Sequence, residues 1–511
     1  MAGSLYLSDK RSGRECGISG LLAGVTENDE FTAHSVPRDL DTSLRNSTIA
    51  GAIGMFFFMT IQNGPIPLML EKLGAGGIAI GLTTTLFQLG MIIQVPATFY
   101  TERLTRRKTF FSITHGLARS FLAIPGIYML TAKEPLSPAI LLTLAAIGLF
   151  GLVAQSSSPI WFSWMADLVP GKRSSAFWAQ RQGWVMVTSL TTVAVTGWFL
   201  DLFPEQSLDG FAWILIIASV FGILDIVIHW FVFEPEPHPV NRSLSAVKRI
   251  FQPLENPDFR YFTLAMCIWF FGLGFFAPFM NVYLKTEFAL SYTHLSSIQM
   301  AGMISGVVAS FVSGHLINRM GLRTYGLAMV LTVPLFSIAW FILDGQSNGL
   351  LPILGKVPQP VVVLCCSSII AGGVYAAVGL LQFNLLGTLS PPNGRTMAMA
   401  VHWSLIGAIS ALGPVAGGWV KDWFTAHPPN LTLITGTPVS WFQVIILIHD
   451  AIVWLVMFPL LLKISRKEGE WPIQKGVAHI FFLAPLRAAR NLYTFNPLLM
   501  RAKQNKQNKS S

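Results

Sequence analysis

Ionisable side chains set inside long apolar runs are the first chemistry the sequence offers. Arg119 and His115 share one such run, Asp225 and His229 another, and His449 and Asp450 a third. A charge held in hydrocarbon is costly, so such groups are paired, line a water-filled path or carry protons. His449-Asp450 is the one adjacent pair of the kind a hydrolytic site would use, and it sits mid-run rather than at a water-accessible mouth. The sequence contains no nucleotide loop, zinc spacing or serine elbow in context. Cys16, Cys267, Cys365 and Cys366 lack metal-ligand spacing and read as free thiols, so no metal or cofactor is expected. A membrane-embedded enzyme, or a receptor or scaffold that transports nothing, is therefore the alternative from a different class.

The elements that hold these groups are membrane helices. Of the 511 residues, 52% are hydrophobic and only 12% are charged, too few charges to cover a water-facing surface of that size. Apolar blocks run at roughly 46–70, 75–100, 109–131, 137–163, 183–200 and 212–233, then at 261–284, 292–317, 325–343, 359–388, 397–420 and 441–463. Each approaches the length of about 20 residues that a helix needs to cross the hydrocarbon. The expected fold is an all-α membrane protein with about twelve transmembrane helices. The expected divisions are a tail (1–45), a six-helix half (46–233), a linker (234–260), a second six-helix half (261–463) and a second tail (464–511). The first tail is polar and offers no cleavable signal peptide.

Lysine and arginine fall on one side of these blocks. The two tails and the even connections hold 29 of them, the odd connections hold five, and Arg119 lies within a block. This asymmetry predicts that both termini are cytoplasmic. It also accounts for the net charge of +10 without invoking nucleic acid. The second tail mixes Phe481, Phe482 and Leu483 with Arg487 and Arg490, so an interfacial helix over 477–493 is expected on the anionic leaflet.

The halves repeat each other at an offset near 220 residues. Glu102-Arg103-Leu104-Thr105-Arg106-Arg107 answers to Asn318-Arg319-Met320-Gly321-Leu322-Arg323, and Pro170-Gly171-Lys172-Arg173 to Pro392-Asn393-Gly394-Arg395. Gly197-Trp198-Phe199-Leu200-Asp201 answers to Gly418-Trp419-Val420-Lys421-Asp422. Six blocks per half is an even number, so the halves are parallel, and such halves bind a solute between them near the bilayer midplane.

With these features the chain resembles the major facilitator superfamily (MFS) of secondary transporters over roughly 46–463. The family's loop after the second span, Gly-x-x-x-Asp-Arg/Lys-x-Gly-Arg/Lys-Arg/Lys, is matched by Gly314, Asn318, Arg319, Gly321 and Arg323. It is matched more loosely by Thr98, Glu102, Arg103, Thr105, Arg106 and Arg107. The resemblance implies that this loop latches the cytoplasmic ends, with Asp167 and Arg173 in the next even loop as further gate candidates or as an ordinary surface pair. Gly413-Pro414-Val415-Ala416-Gly417-Gly418 looks like an element that proton-linked drug exporters carry in span 5. Here it is in span 11, which argues against a drug antiporter.

The resemblance also implies that spans 1, 4, 7 and 10 line a central cavity. Asn63, Gln155, Asn281, Gln382 and Asn384, with Trp161 nearby, are then the candidate substrate contacts. Amides and aromatic rings suit a neutral hydroxylated ligand, and the same residues could equally serve helix–helix hydrogen bonds. Asn63 ranks first because Gly64-Pro65 should break its helix. The resemblance places spans 3 and 6 side by side, which pairs Arg119 with Asp225. Proton carriage by Asp225 or Asp450 is the competing role. No acid lies well inside the four cavity spans, so proton coupling, sodium coupling and uniport all stay open. The expected protein is a monomeric plasma (inner) membrane transporter of a small organic solute, a sugar or related polar metabolite, working by alternating access. Export of a drug or lipid by the same fold is the alternative.

Overall fold

The computed structural model describes residues 40–62, 64–101, 103–132, 136–169, 171–236, 245–344, 348–351, 355–391, 394–432 and 438–480. Nearly all of it is helical. The first half comprises α1 (Leu40–Gln62), α2 (Pro65–Lys72), α3 (Gly77–Gly90), α4 (Gln94–Thr101), α5 (Arg107–Ser120), α6 (Ala123–Thr131), α7 (Pro138–Gln155), α8 (Ser158–Leu168), α9 (Gly171–Asp201) and α10 (Asp209–Trp230). A short amphipathic helix follows, α11 (Ala246–Glu255). The second half comprises α12 (Pro257–Phe288), α13 (Tyr292–Met320), α14 (Leu322–Val330), α15 (Val333–Ser337), α16 (Gln359–Leu389), α17 (Arg395–Ser410), α18 (Leu412–Ala426), α19 (Trp441–Ile452) and α20 (Phe458–Leu462). Between α15 and α16, β1 (Asn348–Leu351) and β2 (Gly355–Pro358) form an antiparallel hairpin, and α21 (Ile473–Ala478) lies beyond α20.

Among the described residues, eleven helical runs are long and apolar enough to cross a membrane. The expected third span is not one of them: His115 and Arg119 lower the apolarity of the run, which is also divided into α5 and α6 at Phe121 and Leu122. Pro125, in the first turn of α6, cannot donate a backbone hydrogen bond, which favours a break just before it. The expected fifth span is longer than the apolar pattern shows. Lys172, Arg173 and Arg181 are not in a loop but on α9, which starts at Gly171. Polar residues that favour helix carry it past the apolar segment, so hydropathy alone misplaces its start. The expected interfacial helix over 477–493 falls largely outside the described residues.

Large apolar side chains cover the outside. Phe311 is 82% exposed, Leu455 75% and Leu141 71%. In water such a surface would be a liability, and it identifies a chain solvated by lipid. We call the end of the bundle where α1 begins the near end and the opposite end the far end. Two buried clusters near the near end belong to one half each. One gathers Leu44, Phe111, Trp164 and Phe177, the other Phe259, Phe262, Leu386 and Leu461. At the far end a single cluster joins both halves, with Phe57, Met69 and Leu200 packed in one core with Phe275, Tyr283 and Phe442. The halves are thus fused at the far end and cored separately toward the near end.

Candidate functional site

Arg119 on α5 and Asp225 on α10 form a buried ion pair, Arg119 Nη1 to Asp225 Oδ2, as the family resemblance implied. Arg119 also donates to the Gly222 carbonyl at 2.8 Å. The pair continues inward. Asp225 Oδ1 lies 2.8 Å from His229 Nδ1, and the Trp161 indole N–H donates to His229 Nε2 at 3.1 Å. Because Nε2 accepts, Nδ1 carries the imidazole hydrogen and donates it to the carboxylate. One network therefore joins α5, α10 and α8. The second half is built differently. Asp450 on α19 accepts from Ser337 Oγ at 3.0 Å and sits 3.0 Å from His449 Nδ1. Ser337 stands near where the repeat would place an arginine, so among the described residues Asp450 has no arginine partner like that of Asp225.

A cavity of about 520 Å³ opens between the halves. Met59, Gln62, Phe276, Gln299, Trp340 and Tyr375 are among its walls, drawn from α1, α12, α13, α16 and the turn after α15. The expected contacts are arranged differently. Gln155 is buried with its Oε1 accepting from Gln94 at 2.9 Å, and Gln382 is buried 3.2 Å from His402 Nε2. Both amides already serve helix–helix bonds. Asn384 is exposed, and its amide donates to Leu380 O on its own helix at 2.8 Å. Trp161 is committed to His229. Asn281 is buried beside Gly64, and its Oδ1 has no partner among the described residues. Asn63 lies outside the described residues, but the break it flanks is present. α1 stops at Gln62, and Gly64 adopts φ 96°, a left-handed conformation that favours glycine. Gln299 was missed because α13 is not one of the four spans the resemblance put around the cavity.

The closure of the far end is built from the repeat itself. Asp422, at the end of α18, accepts from the Gly77 and Ile78 amides at 2.6 and 3.2 Å, capping the start of α3. Asp201, the last residue of α9, accepts from the Tyr292 and Thr293 amides at 2.9 and 2.8 Å, capping the start of α13. Each half thus supplies one carboxylate to the positive end of a helix in the other half. Lys421 adds a 2.8 Å ion pair to Glu71, and Lys285 a 2.9 Å pair to Glu205. The hydrogen bond from Lys285 and its charge hold the Glu205 carboxyl below the usual range. The expected exporter-like glycines have a packing role here. A Cβ on Gly418 would strike the Gly77 carbonyl, and one on Gly417 the Phe275 carbonyl.

The sequence over 48–414 matches the family model for the Major Facilitator Superfamily. The chain belongs to the Major Facilitator Superfamily. It is accordingly a multi-pass membrane protein of a transporter family. No curated protein matches it. Solved structures share its fold. The nucleoside transporter NupG superposes with a TM-score of 0.60 at 13% identity, covering 83% of this chain and 100% of that one. A D-xylose-proton symporter gives 0.63 at 13%, covering 84% and 100%. A bacterial homologue of the iron transporter ferroportin, in its inward-facing state, gives 0.59 at 14%, covering 83% and 99%.

In this superfamily member Arg107, Asp167, Arg173, Arg319 and Arg323, of the expected near-end gate residues, find their partners within their own halves. Asp167 does not pair with Arg173. It takes a 2.6 Å ion pair from Arg107, and Arg173 reaches Asp41 at 2.8 Å. Arg107 begins α5 and points back along the end of α8, whereas Arg173 lies on the rising turn of α9 and faces α1. Arg103 and Arg106 are exposed. Asn318 and Arg319 are exposed too, with Arg319 stacked on Trp471 at 5.5 Å, and Arg323 donates to Leu462 O at 2.6 Å. Glu102 lies outside the described residues.

Proposed function

We propose that the chain is a secondary transporter of a small organic solute, working by alternating access and captured here with its outer end closed. The proposal counts α5 and α6 together as a twelfth span. It places both termini, and so the near end, in the cytoplasm, as the lysine and arginine asymmetry requires. The observation that carries it is the contrast between ends. A shared core and two reciprocal carboxylate caps fuse the far end, while the near-end cores are separate. A cavity between parallel halves, closed on one side, is the geometry of rocking transport.

The solute site is the cavity between Gln62 and Gln299, with Asn281 above it toward the closed end and Trp340 and Tyr375 as stacking surfaces. Two amides and two aromatic rings fit a neutral polar solute such as a sugar or nucleoside, and relatives of the same fold carry a nucleoside or D-xylose by their names. Export of an apolar compound is the second reading, favoured by Met59, Phe276, Met280 and Met303 in the same walls. Asp225 is committed to Arg119, so proton coupling through it would require breaking a buried pair.

The test is thermal unfolding of the detergent-purified protein against sugars, nucleosides, amino acids and organic cations. A ligand at a hundred times its dissociation constant stabilises by about 2.7 kcal/mol. We expect a sugar or nucleoside to raise the melting temperature, with the shift lost in Gln62→Ala and Gln299→Ala and kept in Gln155→Ala. A shift indifferent to Gln62 and Gln299 would remove the solute from this cavity, and a response to apolar cations alone would favour the export reading.

A further inference from the structure

Arg181 on α9 has no role in the networks described above. Its guanidinium is stacked on Trp161 at 4.9 Å and Trp178 at 5.8 Å. It also lies so close to Gly51 that a Cβ there would overlap it. Its Nε is buried without a partner. No acid pairs with it among the described residues, and the acid whose field reaches it, Asp225, already has both oxygens engaged by Arg119 and His229. Arg119 thus takes the Asp225 carboxylate, and half-buried Arg181 is left without one among the described residues. An unmatched cation in a lipid-embedded bundle is costly unless an anion meets it. The Trp161 ring that supports it is held in place by its own bond to His229, so the receptor is ordered in advance.

Beside this corner runs a crevice of about 700 Å³ between α1 and α9. Gln180 lines it immediately before Arg181, and Ala52 immediately after Gly51. Leu44, Ile49, Ile53 and Trp184 give it an apolar wall. Exposed Arg45 stands at its near end beside the Asp41–Arg173 pair, leaving one positive charge over at the mouth. Arg181 thus sets a positive charge in the corner that adjoins the crevice, and the crevice offers apolar surface beside it, an arrangement that suits an anionic head with an apolar chain.

We propose that the corner of α1, α8 and α9 binds the phosphate or carboxylate head of an amphiphile, with Arg181 as its anion receptor and the α1–α9 crevice holding its apolar chain. This site is separate from the solute cavity and stands or falls without it. The source of the anion is either a bilayer lipid or a free amphiphile. The test uses dodecyl phosphate, dodecanol, inorganic phosphate and phosphatidylglycerol against the full-length protein in an uncharged maltoside detergent, read by melting temperature and native mass spectrometry. Dodecyl phosphate is expected to stabilise the protein where dodecanol does not, and inorganic phosphate only at far higher concentration. Arg181→Gln should weaken it about ten- to a hundredfold, the worth of a charged hydrogen-bond set. Arg181→Lys, which keeps the charge, should retain most of the binding. Ala52→Trp fills the crevice while leaving the guanidinium in place and should weaken dodecyl phosphate without touching inorganic phosphate. Displacement by phosphatidylglycerol that survives purification as an adduct assigns the site to bilayer lipid, and its absence assigns it to a free amphiphile. Equal binding of dodecanol, no binding of dodecyl phosphate, or unweakened binding in Arg181→Gln would overturn the proposal.

Discussion

Asp225→Ala is expected to cost the folded protein about 3–5 kcal/mol, the penalty for stranding the partner of a buried ion pair. The carboxylate is 3% exposed and Arg119 4% exposed, so water cannot replace what is lost. Arg119 would keep the Gly222 carbonyl and the faces of Phe57 and Phe58, at 5.5 and 5.2 Å, which do not neutralise it. His229 would lose its carboxylate acceptor and keep the backbone carbonyl of residue 225, 3.1 Å from Nδ1. The double change Arg119→Leu with Asp225→Leu should recover most of the loss, because two apolar groups leave no charge to solvate. Unfolding free energies measured in bicelles by steric trapping would show both effects. A double variant as unstable as the single one would mean that the pair is not the strut. An Asp225→Ala protein as stable as the wild type but unable to transport would restore the carboxylate as a proton carrier.

How much of this was legible in the sequence depends on the kind of signal. The helical class and the boundaries of most spans follow from long apolar runs, since only a lipid-facing helix tolerates them. The Arg119–Asp225 pair followed from two costly charges on spans that the resemblance set side by side. The cavity contacts did not follow. A buried amide on a cavity span looks the same in sequence whether it faces a solute or, like Gln155 and Gln382, another helix. Arg181 was hidden for a different reason. It was counted among loop charges because the polar first turns of α9 end the apolar pattern before the helix ends. The repeat carried more than it first showed. Gly197–Asp201 and Gly418–Asp422 stand out as matching pentapeptides, and each proves to end in the aspartate that caps a helix of the other half.

That reciprocity yields the second large expected effect. Asp201→Ala with Asp422→Ala should shift the balance between far-end-closed and far-end-open states toward open by on the order of a hundredfold to ten-thousandfold. Each carboxylate accepts two backbone amides at a helix start, and charged hydrogen bonds of this kind are worth about 1.5–3 kcal/mol as a set. The losses fall at different helix starts, α3 and α13, with no shared partner, so the two should add and each single variant should give roughly half the free-energy shift. The caps belong to helices that are intact in either state, so the cost of removing them lands on the closed state and not on folding. Spin labels at Leu202 and Trp423, exposed far-end positions on opposite halves, would report the opening as a longer-distance population in a cysteine-free background. An unchanged distance distribution in the double variant would show that the shared apolar core, with Phe57 and Tyr283 at its centre, closes the far end without help from the carboxylates. A shift in Asp422→Ala alone would assign the closure to the α3–α18 seam, where Lys421 and Glu71 reinforce the cap and Gly418 allows the backbones to touch.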